Sequence, residues 1–184
     1  MESQNRSYPL FSACGLNCGL CPRFHTDGSS RCPGCAGEGF SEVHPACGIL
    51  SCCRRKGIEY CFQCEDFPCP KYNSVDSSDS FITHRNQILD LEKAKHIGME
   101  AYEAQLDEKT GILERLLESY NDGRRKSYFC LAINLLELHD INVVMEQIDK
   151  EVEPESTMKV KAAVAVRLFD EMAAQKGVSL KLRK

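Results

Sequence analysis

No stretch of the sequence approaches the ~18 apolar residues of a membrane span, and its opening, MESQNRSYPLF, has neither a basic n-region nor an apolar run. A membrane helix and a secretory signal are therefore not expected. His25, His44, His96 and His139 have no HExxH or HxxxH partner, which sets aside a protease-type zinc centre. There is no alternation of strand and helix periods of the kind a parallel α/β sheet needs, and no internal repeat of 20 to 50 residues. Basic charge is not in excess either: the net charge is −4 and the pI about 5.8, whereas domains held on phosphate backbones usually exceed ~9. These absences leave a soluble cytoplasmic protein, away from membranes, with a protein partner expected before a nucleic acid.

The last 115 residues lack cysteine except for Cys130, because eleven of the twelve cysteines lie between Cys14 and Cys69. They come as CGLNCGLC, CPGC, CGILSCC, CFQC and FPC, including the CxxC pairs Cys18/Cys21, Cys32/Cys35 and Cys61/Cys64. A CxxC turn can point two thiolates at one ion, and a tetrahedral site needs two such contributions. In a reducing cytosol clustered cysteines serve as ligands or catalytic thiols rather than disulfides, and an odd eleven fits a disulfide framework poorly.

Composition divides the chain at the same place. Residues 1–72 balance 7 Lys+Arg against 7 Asp+Glu and are rich in Gly, Pro and Cys, whereas residues 73–184 hold 16 against 20 with few Gly or Pro. The expected architecture is a small, irregular, metal-stapled module of zinc-ribbon or knuckle type over 1–72, joined to an all-α domain over 73–184. No stretch from Tyr8 to Tyr72 keeps a helical or strand period long enough to bury a core. The polar run Asn73–Ser80 reads as a hinge, with Asp79 or Ser80 able to cap a helix from Phe81 to Ile97 that stops at Gly98. Further helices follow around Tyr102 and Leu106, from Ile112 to Tyr120 beyond Thr110-Gly111, over Lys126–His139, and over Asp140–Val152. Ser156 caps a last, nearly all-apolar helix ending at Gly177, which suits the middle of a bundle.

Ten cysteines sit at ligand positions: Cys14, Cys18, Cys21, Cys32, Cys35, Cys47, Cys52, Cys61, Cys64 and Cys69. Two structural zinc ions with four thiolates each would use eight. The units Cys18/Cys21, Cys32/Cys35, Cys47/Cys52 and Cys61/Cys64 can combine in sequence or interleave. Cys14 and Cys69 then substitute within a site or, with Cys53 and His25 or His44, form a third. Arg54, Arg55 and Lys56 follow Cys53 closely enough to offset thiolate charge. The alternative cofactor is an iron–sulfur cluster, which thiolates and Cys-Pro steps such as Cys69-Pro70 also suit. Cys14, Cys18 and Cys21 match the CxxxCxxC of radical S-adenosylmethionine enzymes, but those need a partial α/β barrel. The CxxC pairs lack the βαβ setting of a thioredoxin-like thiol exchanger, and Cys130, within YFCLAINLL, reads as a core residue.

Two polar groups are candidate substrate or anion sites: His84, Arg85 and Asn86, and the loop Arg124, Arg125 and Lys126 at a helix start. The segments CGLNCGLCP, CPGC, the Cys47–Cys52 pair, KGIEYCFQCEDFPC and THRNQI resemble the cysteine-rich bacterial and archaeal proteins grouped as domain of unknown function 3795. YNDGRRKSYFCLAINLLEL and SLKLRK resemble a longer branch of them with a helical extension. The resemblance implies zinc at Cys14 through Cys69 and carries over no activity, substrate or catalytic residue. Cys53 departs from the pattern and is left out of the ligand set. The expectation is a zinc-binding protein with structural four-cysteine sites, a non-enzymatic binding or regulatory module, against an iron–sulfur or open-zinc enzyme or electron carrier with a site between the halves.

Overall fold

In the computed structural model, which describes residues 6–73 and 77–184, regular structure is helical: α1 (Phe40–Val43), α2 (Gly48–Lys56), α3 (Gln87–Ile97), α4 (Met99–Ser119), α5 (Lys126–Leu135), α6 (Leu138–Glu151) and α7 (Met158–Gln175). Among the described residues the only β pairing is one isolated bridge between Phe11 and Asn17. Parts of two sequence readings, the leader at 1–5 and the hinge at 74–76, lie outside the described residues.

Helix α2 is absent from the sequence expectation. Its N-cap is Cys47, whose sulfur accepts the Leu50 amide at 3.5 Å, and Gly57 ends it in the left-handed region. Helix α4 runs unbroken through Gly111, where the sequence suggested two helices. Tyr102, Leu106, Thr110, Leu113 and Leu116 form one buried stripe across it, and burial on that scale outweighs the ~1 kcal/mol cost of an interior glycine. Helix α3 begins at Gln87 rather than Phe81, because the Asp79 carboxylate takes the His84 amide at 2.9 Å and holds the preceding residues in turns. The α5–α6 break falls at Leu136 and Glu137, where Lys109 Nζ donates to the Leu136 carbonyl at 2.7 Å. Thr157, not Ser156, caps α7.

One buried cluster extends from Phe11 to Ala173. Helix α4 lies against α3, α5 and the 3-10 turn Cys18–Leu20, while α3 also meets the turn Cys61–Gln63. Helix α7 packs on α6, and its Phe169 ring meets Phe129 of α5 at 6.2 Å. Two features seat the cysteine-rich segment on this scaffold. Gly15, at φ +91°, approaches α3 so closely that a Cβ there would stand 2.1 Å from the Gln87 carbonyl oxygen and 2.7 Å from Leu91 Cγ. Next to it, Asn17 is buried among polar groups: its Nδ2 donates to Asp90 at 2.8 Å and to Asn134 Oδ1 at 3.4 Å, and its Oδ1 accepts from the Tyr102 hydroxyl at 2.9 Å. The residue before Cys18 is thereby tied to α3, α4 and α5.

Candidate metal centre

Two of the CxxC pairs are built as the same tight turn. Cys21 N donates to Cys18 O at 3.1 Å, Cys64 N donates to Cys61 O at 3.0 Å, and each turn is a 3-10 helix of three residues. The third pair is anchored from outside: Cys32 N donates to Arg23 O at 3.0 Å and Cys35 N to Pro9 O at 2.8 Å, with Gly34 at φ +88° pressed against Pro9. A tight turn of this kind is what lets two thiolates from one segment bind one ion.

The sulfurs fall into two neighbouring groups. In the first, burial raises the Cys14 thiol to about 11, Ser12 and the Leu16 amide counter it, and Cys35 and Cys47 add to it. Burial also raises Cys18 well above the usual thiol range, with Cys35, Cys14, Cys21 and Cys32 as its thiol neighbours. Cys35 is raised by burial, eased by the Ala13 amide and Arg6, and raised further by Cys47. Cys14, Cys18, Cys35 and Cys47 are thus linked through their mutual influence, with Cys21 and Cys32 acting on Cys18 as well. Although Cys47 and Cys52 read as one unit in sequence, Cys47 belongs beside Cys14 and Cys35 and Cys52 lines a different space.

That second space is a cavity of about 400 Å³ bordered by Cys52, Cys53, Cys61, Cys64 and Cys69. Ile49, Ile58, Phe67 and Tyr72 give it apolar walls, and Lys56, Asp66 and Lys71 carry charge at its edge. The Cys53 and Cys61 sulfurs are 3.6 Å apart. Their mutual hydrogen bond is the first cause of a lowered Cys53 and a raised Cys61. Of the basic run after Cys53, Lys56 reaches the site, donating from Nζ to Cys64 Sγ at 3.1 Å and to Asp66 at 2.7 Å. As the side chains are placed, no three His, Cys, Asp or Glu among the described residues stand in position to share one ion.

Arg6, a residue the sequence reading passed over, joins the two groups. Its side chain is only 6% exposed, lies over the Tyr60 ring at 4.3 Å, and donates from Nη1 to Cys35 Sγ at 3.8 Å. Its Nε and Nη2 are buried without a hydrogen-bond partner among the described residues, and the nearest carboxylate, Glu59, stands 3.6 Å away. A lone arginine before YPLF carries no periodic signal, so only the folded chain exposes its role.

His25 and His44, the two histidines within the cysteine-rich segment, meet backbone carbonyls. His25 Nε2 is 2.7 Å from Gly19 O, and His44 Nδ1 is 2.7 Å from Pro45 O while its ring stacks on Phe40. His84, Arg85 and Asn86 are placed at a clamp. Arg85 donates to the Ser179 and Lys181 carbonyls at 2.6 and 2.7 Å, Asn86 to the Asn134 carbonyl at 3.3 Å, and His84 through its amide to Asp79. Arg125 pairs with Asp122 at 3.7 Å, and Lys126 reaches Thr26 at 3.2 Å, so the second basic trio divides between its own turn and the cysteine-rich segment. The Arg124 amide is taken by Asp122 Oδ1 at 3.0 Å. Cys130 is buried in α5.

The sequence model for the family described as protein of unknown function (DUF3795) matches residues 10–74, the stretch that holds all eleven clustered cysteines. The chain resembles that family over this segment. No curated protein and no solved structure matches the chain. No helix among the described residues is long and apolar enough to cross a membrane.

Proposed function

We propose that this is a metal-binding protein of the cytoplasm whose cysteine-rich segment, a set of knuckle-like turns, is held by thiolate centres, with structural zinc at the first group, Cys14, Cys18, Cys35 and Cys47. The observation that carries the reading is Arg6. A guanidinium taken out of water costs several kcal/mol unless anions meet it, and here one carboxylate, Glu59, stands 3.6 Å from Nη2 while Nε and Nη2 find no hydrogen bond among the described residues. Its Nη1 meets a sulfur, Cys35 Sγ, at 3.8 Å. Neutral thiols are weak acceptors, whereas four thiolates on zinc carry a formal −2 that one buried cation would offset. Arg6 is then an outer partner of the centre, holding Cys35 through an N–H···S contact.

Closed four-thiolate sites leave no position for a substrate, so the role that follows is non-enzymatic: a stapled surface, set on helices α3 to α5, that binds or regulates a protein partner. Metal analysis tests the reading. The purified protein should carry tightly held metal, and Cys18→Ser should lose the ion of the first group. Arg6→Met should weaken that ion ~10-fold or more in competition with a chelator, as loss of outer-shell partners does elsewhere. A folded, monodisperse protein free of metal after metal-replete expression would sink the proposal.

A further inference from the structure

The second thiol group borders a cavity, and the room beside its sulfurs bears on what it could hold. Zinc holds thiolates at about 2.3 Å, which by tetrahedral geometry sets every pair of sulfurs about 3.8 Å apart and leaves no room inside the set. In the second group Cys53 and Cys61 have that separation, at 3.6 Å. The remaining sulfurs, of Cys52, Cys64 and Cys69, stand around a cavity of about 400 Å³. That volume exceeds what one ion occupies. It suits a body with its own bulk, bound by thiolates at its corners.

We infer that the second group holds a polynuclear iron–sulfur cluster, with Cys52, Cys61, Cys64 and Cys69 as its four ligands. This rests on the proposed reading of the segment as thiolate-ligated and changes the kind of metal at one of its two centres. Four cysteine thiolates are the usual ligands of such clusters, and the segment CFQCEDFPCP supplies three of them from one loop, ending on a Cys-Pro step. Helix α2 brings the fourth, Cys52, to the same cavity. Ile49, Ile58 and Phe67 give it apolar walls.

Cys53 is not among the ligands. Its sulfur is in contact with Cys61, and thiolates bound to separate irons stand farther apart than two sulfurs in contact. It is instead a buried S–H beside a ligating sulfur, and Lys56 supplies a second donor at Cys64, 3.1 Å away. Donors to cluster sulfurs set the reduction potential by favouring the more negative, reduced state. The Lys56–Cys64 pair is at the exposed edge, the side from which an electron would enter.

The test uses the full chain, purified without oxygen and also reconstituted with ferrous iron and sulfide. Expected are a brown protein with a broad band near ~400 nm, iron and acid-labile sulfide in proportion, and zinc retained at the first group. Cys64→Ser and Cys69→Ser should lose or strongly bleach the band while zinc stays, and Cys18→Ser should do the reverse. Because serine variants can misfold, Cys53→Ala and Lys56→Gln give an independent reading: both should keep full iron content and shift the reduction potential. Complete loss of iron in folded Cys53→Ala would overturn the ligand assignment. A colourless protein with about two zinc ions that takes up no iron on reconstitution would overturn the cluster and leave the metal-binding proposal standing. A folded protein with no metal at all would overturn both.

Discussion

Asp79 and Arg183, 104 residues apart, meet in a buried ion pair: the guanidinium donates to the carboxylate at 2.9 Å through Nη2, and the Arg183 amide donates to its other oxygen at 2.8 Å. The Asp79 side chain is fully buried. Burial alone would raise its pKa, but the hydrogen bonds from Arg183 and the His84 amide outweigh it and hold the group at about 2. A depressed carboxylate stabilises the fold above its unfolded pKa of about 3.9, and that contribution is lost as pH falls from there through 2. Asp79→Asn should therefore cost about 2 kcal/mol at pH 7, with the gap to wild type narrowing in urea titrations below pH 4. An equal gap at pH 7 and pH 3 would remove the ion pair from the explanation. With Arg85 on the Ser179 and Lys181 carbonyls, this pair straps residues 179–183 to the segment before α3, and the strap accounts for two members of the His84–Asn86 trio.

Gly15 sets how closely the first thiol group approaches α3. Gly28 also has a positive φ, +79°, but a Cβ there would meet nothing within 4 Å, so it isolates the backbone cost from the packing cost. Gly28→Ala should lose about 1 kcal/mol, and Gly15→Ala more than about 2 kcal/mol, because the new methyl must displace the Gln87 carbonyl or Leu91. Equal losses in thermal denaturation would mean that the approach is adjustable.

Asp90 behaves in the opposite sense to Asp79. Burial raises it to about 6, while Lys109, Tyr102, Asn17 and Lys93 pull the other way without overcoming it. A raised carboxylate contributes its stability in full below about 3.9 and loses it as pH rises through 6. Wild type should therefore lose about 2 to 3 kcal/mol relative to Asp90→Asn between pH 4 and pH 7, seen as converging or crossing denaturation midpoints. Parallel midpoints across that range would place the Asp90 charge in water.

What the sequence revealed and what it hid follow from the range of the forces involved. The Cys18/Cys21 and Cys61/Cys64 turns are legible because one i to i+3 backbone bond makes each of them. Helix α4 was legible as helix but not as one helix, since Gly111 is a breaker only until a buried stripe spans it. The Cys47/Cys52 unit spans a helix that the sequence reading did not expect: Cys47 caps α2 and Cys52 lies five residues along, a rise of about 7.5 Å. Arg6 and Asp79 find their partners at separations of 29 and 104 residues, which no local pattern encodes.

Metal removal should divide the chain at the composition boundary, with residues 1–72 behaving as one unit and 73–184 as another. The helical part keeps buried Leu91, Leu113, Leu116, Ile141, Ile148 and Phe169 whether or not sulfur is ligated. The cysteine-rich part contributes Phe11, Leu20, Leu50 and Tyr60 to the same cluster, but between them run turns with few helical bonds, too little burial to order so much chain unaided. After chelation verified by metal analysis, trypsin should cut first at Arg31, Arg54 and Arg55, while the far-ultraviolet helical signal falls only slightly because α1 and α2 are short. Hydrogen exchange should rise across 10–72 and, secondarily, at the faces of α3 and α4 that meet Gly15 and Asn17. Unchanged cleavage of the first 72 residues in metal-free protein would show that the apolar cluster suffices, and the thiolates would then need a purpose other than folding.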